Sequence, residues 1–209
     1  MKNKGKGMIV LGLLLVAAAL FLVFCNLYDQ HRAERAAEQV LQQLQALIPE
    51  KEPGTLPEQP GSGGEFEIPD YLLNPKMEMP SVVVGGAEYI GILKIPELEL
   101  ELPVAGQWSE QELKTAPCRY KGSVYTDTLI IAGYNYRSHF GRLKTLRQGA
   151  QVTFTDLDGN VFFYRVAERE NLPAAAVEEM EGGGWDLTLF TCTTGGQSRV
   201  TVRCEAEEP

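Results

Sequence analysis

From Gly7 to Tyr28 the chain runs for 22 residues without a charged side chain, GMIVLGLLLVAAALFLVFCNLY. About 20 apolar residues suffice to cross the hydrocarbon core of a bilayer as a helix, so this stretch predicts a transmembrane anchor. Lys2, Lys4 and Lys6 precede the run and Asp29 follows it. That asymmetry predicts a cytoplasmic tip at residues 1–6, an anchor at 7–28 and export of the remainder, although Arg32 and Arg35 soften the contrast. A cleaved signal peptide is the alternative. The small residues Val16 to Ala19 lie inside the apolar run rather than after it, which fits an uncleaved anchor better. Cys25 invites lipidation, but the Phe24 before it is bulky where lipoprotein signals use small residues.

All three lysines of the tip are spent before the anchor, so the rest of the chain holds 16 basic and 28 acidic residues, a net of −12 against −9 for the whole. Such a surface does not seek nucleic acid, and its acidity is a solubility feature. With 44% apolar and 22% charged residues the chain is neither wholly disordered nor a disulfide-dense miniprotein. Two histidines, His31 and His139, exclude a zinc site built from several imidazoles and leave few candidates for imidazole catalysis.

Residues 29–50 carry Val40, Leu41, Leu44, Leu47 and Ile48 at helical spacing among Glu, Gln and Arg, which predicts an amphipathic juxtamembrane helix. Residues 51–80 hold six Pro and four Gly among 30 positions and read as a tether that gives the following domain reach from the bilayer. Residues 81–209 change to short β-type runs: Tyr89–Ile95, Leu98–Val104, Thr128–Ala132, Gln151–Thr155, Val161–Val166, Asp186–Cys192 and Arg199–Cys204. Asp156-Leu157-Asp158-Gly159-Asn160 is a hairpin turn between two of them, and short helical pieces fit near Ser109–Lys114 and Phe140–Leu146. The expected fold class is therefore mainly β, a closed barrel or a sandwich of seven or eight strands with short helices.

Cys192 ends an apolar strand, a small polar loop follows, and Arg199 opens the next strand. A hairpin brings the two together if their faces agree, and a fixed cation there stabilises a thiolate or an oxyanion. On spacing alone, a buried apolar Cys192 and a solvated Arg199 fit equally well.

Thr188-Leu189-Phe190-Thr191-Cys192 followed by Arg199 resembles the Thr-Leu-x-Thr-Cys and downstream Arg signature of sortases, membrane-anchored cysteine transpeptidases of Gram-positive bacteria. Tyr89–Pro96, Leu102-Pro103-Val104, Ile131-Ala132-Gly133 and His139–Leu143 are similar to segments of the shorter B- or D-like kinds, in the same order. The resemblance implies a closed barrel of about eight strands. It also implies a thiolate attack on a C-terminal Leu-Pro-x-Thr-Gly-like sorting signal of secreted proteins, and transfer of the acyl group to an amine of peptidoglycan or pilin. No cofactor or metal is implied. Carried over, Cys192 is the nucleophile, Arg199 holds the substrate or its oxyanion, and Thr191 and Asn135 are substrate-binding candidates. The family's histidine sits in a Gly-His-Asn segment that here reads Gly133-Tyr134-Asn135. A phenol, with an ordinary pKa of about 10, is a poor acid or base near neutrality. The acid/base candidates are therefore Tyr134 itself and His139, five residues on, unless the domain is a pseudoenzyme that binds without turnover. His139 also belongs to a His-Phe-Gly segment found in relatives that keep the usual histidine.

A Cys118–Cys204 disulfide is permitted by export, with buried free thiols the simpler expectation. Glu168, Glu170, Glu178 and Glu179 read as a solvated acidic loop, since they lack the spacing of a calcium loop.

Overall fold

Along each strand the side chains alternate between two faces, and here that alternation decides which residues can meet a substrate. The computed structural model describes residues 3–49, 51 and 68–207. Nine strands appear in chain order: β1 (Val82–Val84), β2 (Ala87–Ile95), β3 (Leu100–Ala105), β4 (Cys118–Lys121), β5 (Leu129–Ala132), β6 (Gln151–Asp156), β7 (Val161–Pro173), β8 (Leu187–Cys192) and β9 (Ser198–Glu207). Their order in the sheet is β1-β2-β3-β4-β5-β8-β9-β7-β6, and β6 pairs back onto β2 from Gly91↔Asp156 to Lys94↔Thr153. Strands β2 to β9 thus close an eight-stranded barrel, as expected, with β1 a short hairpin arm outside the ring. Pairing is parallel only at β3–β4 and β5–β8.

Leu187 and Leu189 of β8, and Val200, Val202 and Cys204 of β9, join the inner core with Leu93, Phe154 and Tyr164. Phe190 of β8 falls in a separate cluster on the outer face with Ile130, Ala132, Leu172 and Met180. Three strand features go beyond the sequence reading. β1 is apolar but only three residues long, and β4 carries Arg119 and Lys121 among its four. β7 runs seven residues past Val166 through polar Ala167–Pro173, because β9 continues to pair with it as far as Pro173↔Ser198. The β6–β7 hairpin is organised by the buried Asp156. Its Oδ1 accepts from the Asp158 and Asn160 amides at 3.0 and 2.8 Å, and its Oδ2 accepts from Asn160 Nδ2 and the Tyr125 hydroxyl, both at 2.8 Å. Every acceptor direction of that carboxylate has a donor, which is why an acid is tolerated there.

The anchor and the juxtamembrane helix are one uninterrupted helix, α1 (Asn3–Leu47). Apolar side chains from Met8 to Leu27 are exposed all round, as a lipid-facing span requires, while Ala33, Ala37, Val40 and Leu44 are buried. Their spacing of four, three and four residues makes one stripe. Its Val40 and Leu44 seat on the outer face of β2 and β3 in one cluster with Val84, Tyr89, Ile92, Ala105, Ala116 and Cys118. Gln45 Nε2 donates to Glu101 Oε1 at 2.9 Å, and Lys51 Nζ to Asn160 Oδ1 at 3.0 Å.

Of the expected tether, residues 52–67 lie outside the described residues. Residues 68–80 differ from the expectation: they include the helical turn α2 (Asp70–Leu73), Tyr71 stacks on Tyr125 with ring centroids 4.8 Å apart, and Met79 is buried in the barrel core. Proline content prevented long elements there but not packing. Helix α1 docks on the barrel before this segment begins. Cys118 and Cys204 are free thiols in separate clusters, each pushed up to about 12 by burial.

Leu44 is the fully buried member of the docking stripe. Leu44→Ala is expected to weaken docking by about 3 kcal/mol. Amide exchange should accelerate across residues 33–48 while the barrel strands keep their protection; unchanged exchange in the helix would mean that the stripe does not hold it.

Candidate active site

Because residues alternate, Thr188, Phe190 and Cys192 of β8 share one face, and so do Arg199, Thr201 and Arg203 of β9. Cys192 pairs directly with Arg199 across the β8–β9 ladder, so the faces agree and both side chains lie on the outside of the barrel. Cys192 is exposed and Arg199 half-buried. The loop between them is closed by Thr193 N–H donating to the Ser198 carbonyl at 2.8 Å and by the Thr193 hydroxyl donating to the same oxygen at 3.0 Å. Gly195 and Gly196 have φ of +90° and +70°, a left-handed pair that suits glycine.

Arg199 donates through Nη1 to the carbonyl of Ala174, just past the end of β7, and its guanidinium carbon lies 5.9 Å from the Phe190 ring centroid. These contacts aim the cation along the surface beside Cys192. The floor there is apolar: Phe190, Ile130 and Ala132, with Tyr120 edge-on to Phe190 at 5.4 Å. One wall is the short helix α4 (Val177–Glu181), which follows α3 (Glu110–Leu113) in chain order and is fixed by a buried Arg203. Its guanidinium donates to Glu170 Oε1 (2.8 Å), the Met180 and Glu179 carbonyls (both 2.7 Å) and the Thr188 hydroxyl (3.1 Å). Glu170 is therefore occupied by an ion pair. The sequence reading overlooked this floor and wall, although the split of β8 into Leu187/Leu189 and Thr188/Phe190 carries the signal.

Tyr134 arrives from the neighbouring strand. β5 runs parallel to β8 with Ala132 opposite Phe190, and the Gly133 amide donates to the Phe190 carbonyl at 3.0 Å. The chain thus leaves β5 beside the end of β8, where Tyr134 is 38% exposed. Asn135 Nδ2 reaches Thr194 Oγ1 at 3.5 Å and bridges the two loops. Thr191 falls on the inward row and is 3% exposed, so its side chain does not share the Cys192 face.

His139 is placed differently. It is fully buried, neither ring nitrogen has a partner among the described residues, and its ring lies edge-on to Tyr136 at 5.7 Å. Burial pulls its pKa down to about 4. Tyr136 in turn lies 4.3 Å from the Tyr134 ring, and burial, then Tyr134, then the Asp29 carboxylate of α1 push its phenol up. The loop between is tightly wound. A Cβ on Gly133 would come within 2.3 Å of the Phe140 ring, and one on Gly141 within 2.7 Å of the Tyr136 carbonyl. The His139-Phe140-Gly141 segment therefore serves packing, with Tyr134 on the outside of the loop and His139 inside it.

The Sortase domain family matches residues 93–207, more than half of the chain. The chain belongs to the sortase family. Its members are cysteine transpeptidases, and the match spans every strand from the middle of β2 onward. The chain is 23% identical over 198 residues to Sortase A of Bacillus anthracis, covering 92% of this chain and 90% of that protein. In fold it is similar to sortase C1 of Streptococcus agalactiae, with a TM-score of 0.54 at 22% identity over 69% of this chain and 79% of that one. It is also similar to a Clostridium perfringens Sortase D5 transpeptidase, with a TM-score of 0.50 at 18% identity over 57% and 79%.

A neutral buried imidazole contributes stability that is complete above the unfolded pKa of 6.5 and is lost as pH falls toward about 4. Between those limits His139 is expected to cost this sortase up to about 3 kcal/mol. His139→Phe should flatten that acid limb in urea unfolding at pH 7 and pH 5, made on a chain that begins at Asp29; an unchanged limb would show that His139 is not the group responsible.

Proposed function

We propose that this chain is a membrane-anchored sortase-type transpeptidase working outside the cytoplasm, with Cys192 as nucleophile, Arg199 as oxyanion stabiliser and Tyr134 in the place of the usual histidine. The observation that carries the reading is the direct pairing of an exposed Cys192 with Arg199 on the outer face, above an apolar floor. The lysines before the span support a cytoplasmic N-terminus and an exported barrel.

The thiolate attacks the Thr carbonyl of a Leu-Pro-x-Thr-Gly-like sorting signal on a secreted protein, forming a C–S bond. The tetrahedral oxyanion faces the fixed guanidinium of Arg199, whose charge needs no reorganisation as the negative charge develops. Collapse breaks the C–N bond, and the leaving glycine amine takes a proton. An amine of peptidoglycan or pilin then attacks the thioester and releases Cys192. Dividing the acyl transfer into two steps is the benefit of the covalent intermediate.

Acid/base assistance is the weak point. His139 is buried against Tyr136 and among the described residues has no partner at either nitrogen, which leaves Tyr134, beside the end of β8, as the candidate for the role. A phenol gives slow proton transfer, and the cost expected for losing imidazole is about 10²–10⁴ in rate. That same substitution favours a second reading, a catalytically impaired sortase that binds sorting signals or partner proteins.

Transfer of a sorting-signal peptide to an amine, followed by mass spectrometry, separates the two. Tyr134→His should raise kcat/KM by about 10²-fold or more, Cys192→Ala should abolish the acyl adduct, and Arg199→Ala should lower kcat by about 10²-fold. His139→Phe should leave kcat unchanged. A wild type that binds peptide but never carries an acyl adduct is the impaired sortase. A fast wild type slowed by Tyr134→His overturns the assignment of Tyr134.

A further inference from the structure

Helix α1 touches both ends of the barrel, and its direction tells which end meets the membrane. At its C-terminal end, the carbonyl of Pro49 abuts Gly159 and Lys51 bonds to Asn160, both in the β6–β7 hairpin. About three and a half turns or more earlier, Gln30, His31 and Glu34 line a groove of about 550 Å³ with Leu100, Arg137 and Ser138. Arg137 and Ser138 belong to the loop that starts at Tyr134. The strand directions agree: β5 and β8 both end, at Ala132 and Cys192, on the side away from the β6–β7 hairpin. The apolar span, 7–28, therefore continues from the Cys192 end of the barrel.

No Gly or Pro interrupts the chain between Asp29 and Ile48, Val40 and Leu44 pack this half of the helix against β2 and β3, and Ala33 and Ala37 are buried as well. The barrel consequently cannot swing relative to the anchor. Helix rise from Asp29 to Leu47 is ~27 Å, so the hairpin stands that much farther from the bilayer than the Tyr134 loop does. Arg32, Arg35 and Arg137 are exposed at the lower level, beside Asp29 and Glu34. Arginines there suit anionic headgroups, in a part of the chain that is otherwise net acidic.

We infer that the barrel stands on the lipid surface with its Cys192 end toward the bilayer, so that a peptide reaches the thiol along the membrane surface and not from bulk solvent. The inference rests on the reading of residues 7–28 as a membrane span. It is independent of whether Tyr134 supports turnover.

The test uses the full chain in vesicles containing anionic lipid. With Cys25→Ser, Cys192 is the accessible thiol and takes a fluorophore; a second protein with Cys25→Ser, Cys192→Ser and Asp158→Cys takes it at the hairpin. Flotation first establishes whether the chain is in the membrane. A nitroxide on the lipid headgroup should quench the Cys192 label roughly threefold or more strongly than the Asp158 label, given the ~27 Å difference in height. Insertion of four Gly/Ser residues between Gln30 and His31 should bring the two values together. Floating chains with equal or reversed quenching overturn the orientation, as does a difference that survives the insertion. A chain that does not float overturns the span itself, and the orientation with it.

Discussion

The pairing of β2 with β6 is the contact on which the rest of this structure depends. Eight strands left open would expose the inner row of Leu93, Leu187, Leu189, Val200 and Val202 on one face of the sheet, whereas closure buries it. The join is tight. A Cβ on Gly91 would stand 2.2 Å from the Thr155 carbonyl, so the residue opposite Asp156 has to be glycine for the two strands to approach. Once the ring is closed, period two leaves no freedom about what faces out: Cys192, Arg199 and Phe190 form one surface, and Thr191 is turned into the core.

Strand placement was legible because burial on one face writes alternation into the residues. Tyr89–Ile95, Gln151–Thr155 and Asp186–Cys192 each fall within a residue or so of β2, β6 and β8. Where pairing came from the partner and not from the segment's own side chains, the signal was missing. Ala167–Pro173 extends β7 only because β9 is there to receive it, and β4 is held between β3 and β5 despite two charged residues in four. The Pro-rich composition of 68–80 likewise spoke to backbone conformation and was silent on the stacking of Tyr71 against Tyr125.

The candidate site was legible to a similar depth. Sequence placed Cys192 and Arg199 at the two ends of a hairpin but left their faces open, which only the register decides. It left two candidates for acid/base work, and burial separates them. His139 lies inside a loop wound so closely that Gly133 and Gly141 have no room for a side chain, and its imidazole is held neutral over most of the pH range. Tyr134 lies on the outside of that loop, beside the end of β8. A motif of residue types could not separate inside from outside within a single turn.

Two arginines on the same outward row of β9 show how environment divides one chemistry into two tasks. A guanidinium offers five N–H donors and accepts nothing. Arg203, 2% exposed, spends its fork on Glu170, Thr188 and two carbonyls of α4, and so functions as a bracket for the wall of the site. Arg199 is half-buried, and among the described residues its hydrogen bond goes to the Ala174 carbonyl alone, through Nη1. Four donors therefore remain on Arg199 at a fixed position next to Cys192, whereas Arg203 keeps one, on a side chain that is shut away from the surface. A donor that is already oriented but unsatisfied is what an oxyanion requires. On that ground Arg199 is the arginine proposed for the transition state, and the ion pair of Arg203 with Glu170 belongs to the scaffold around it.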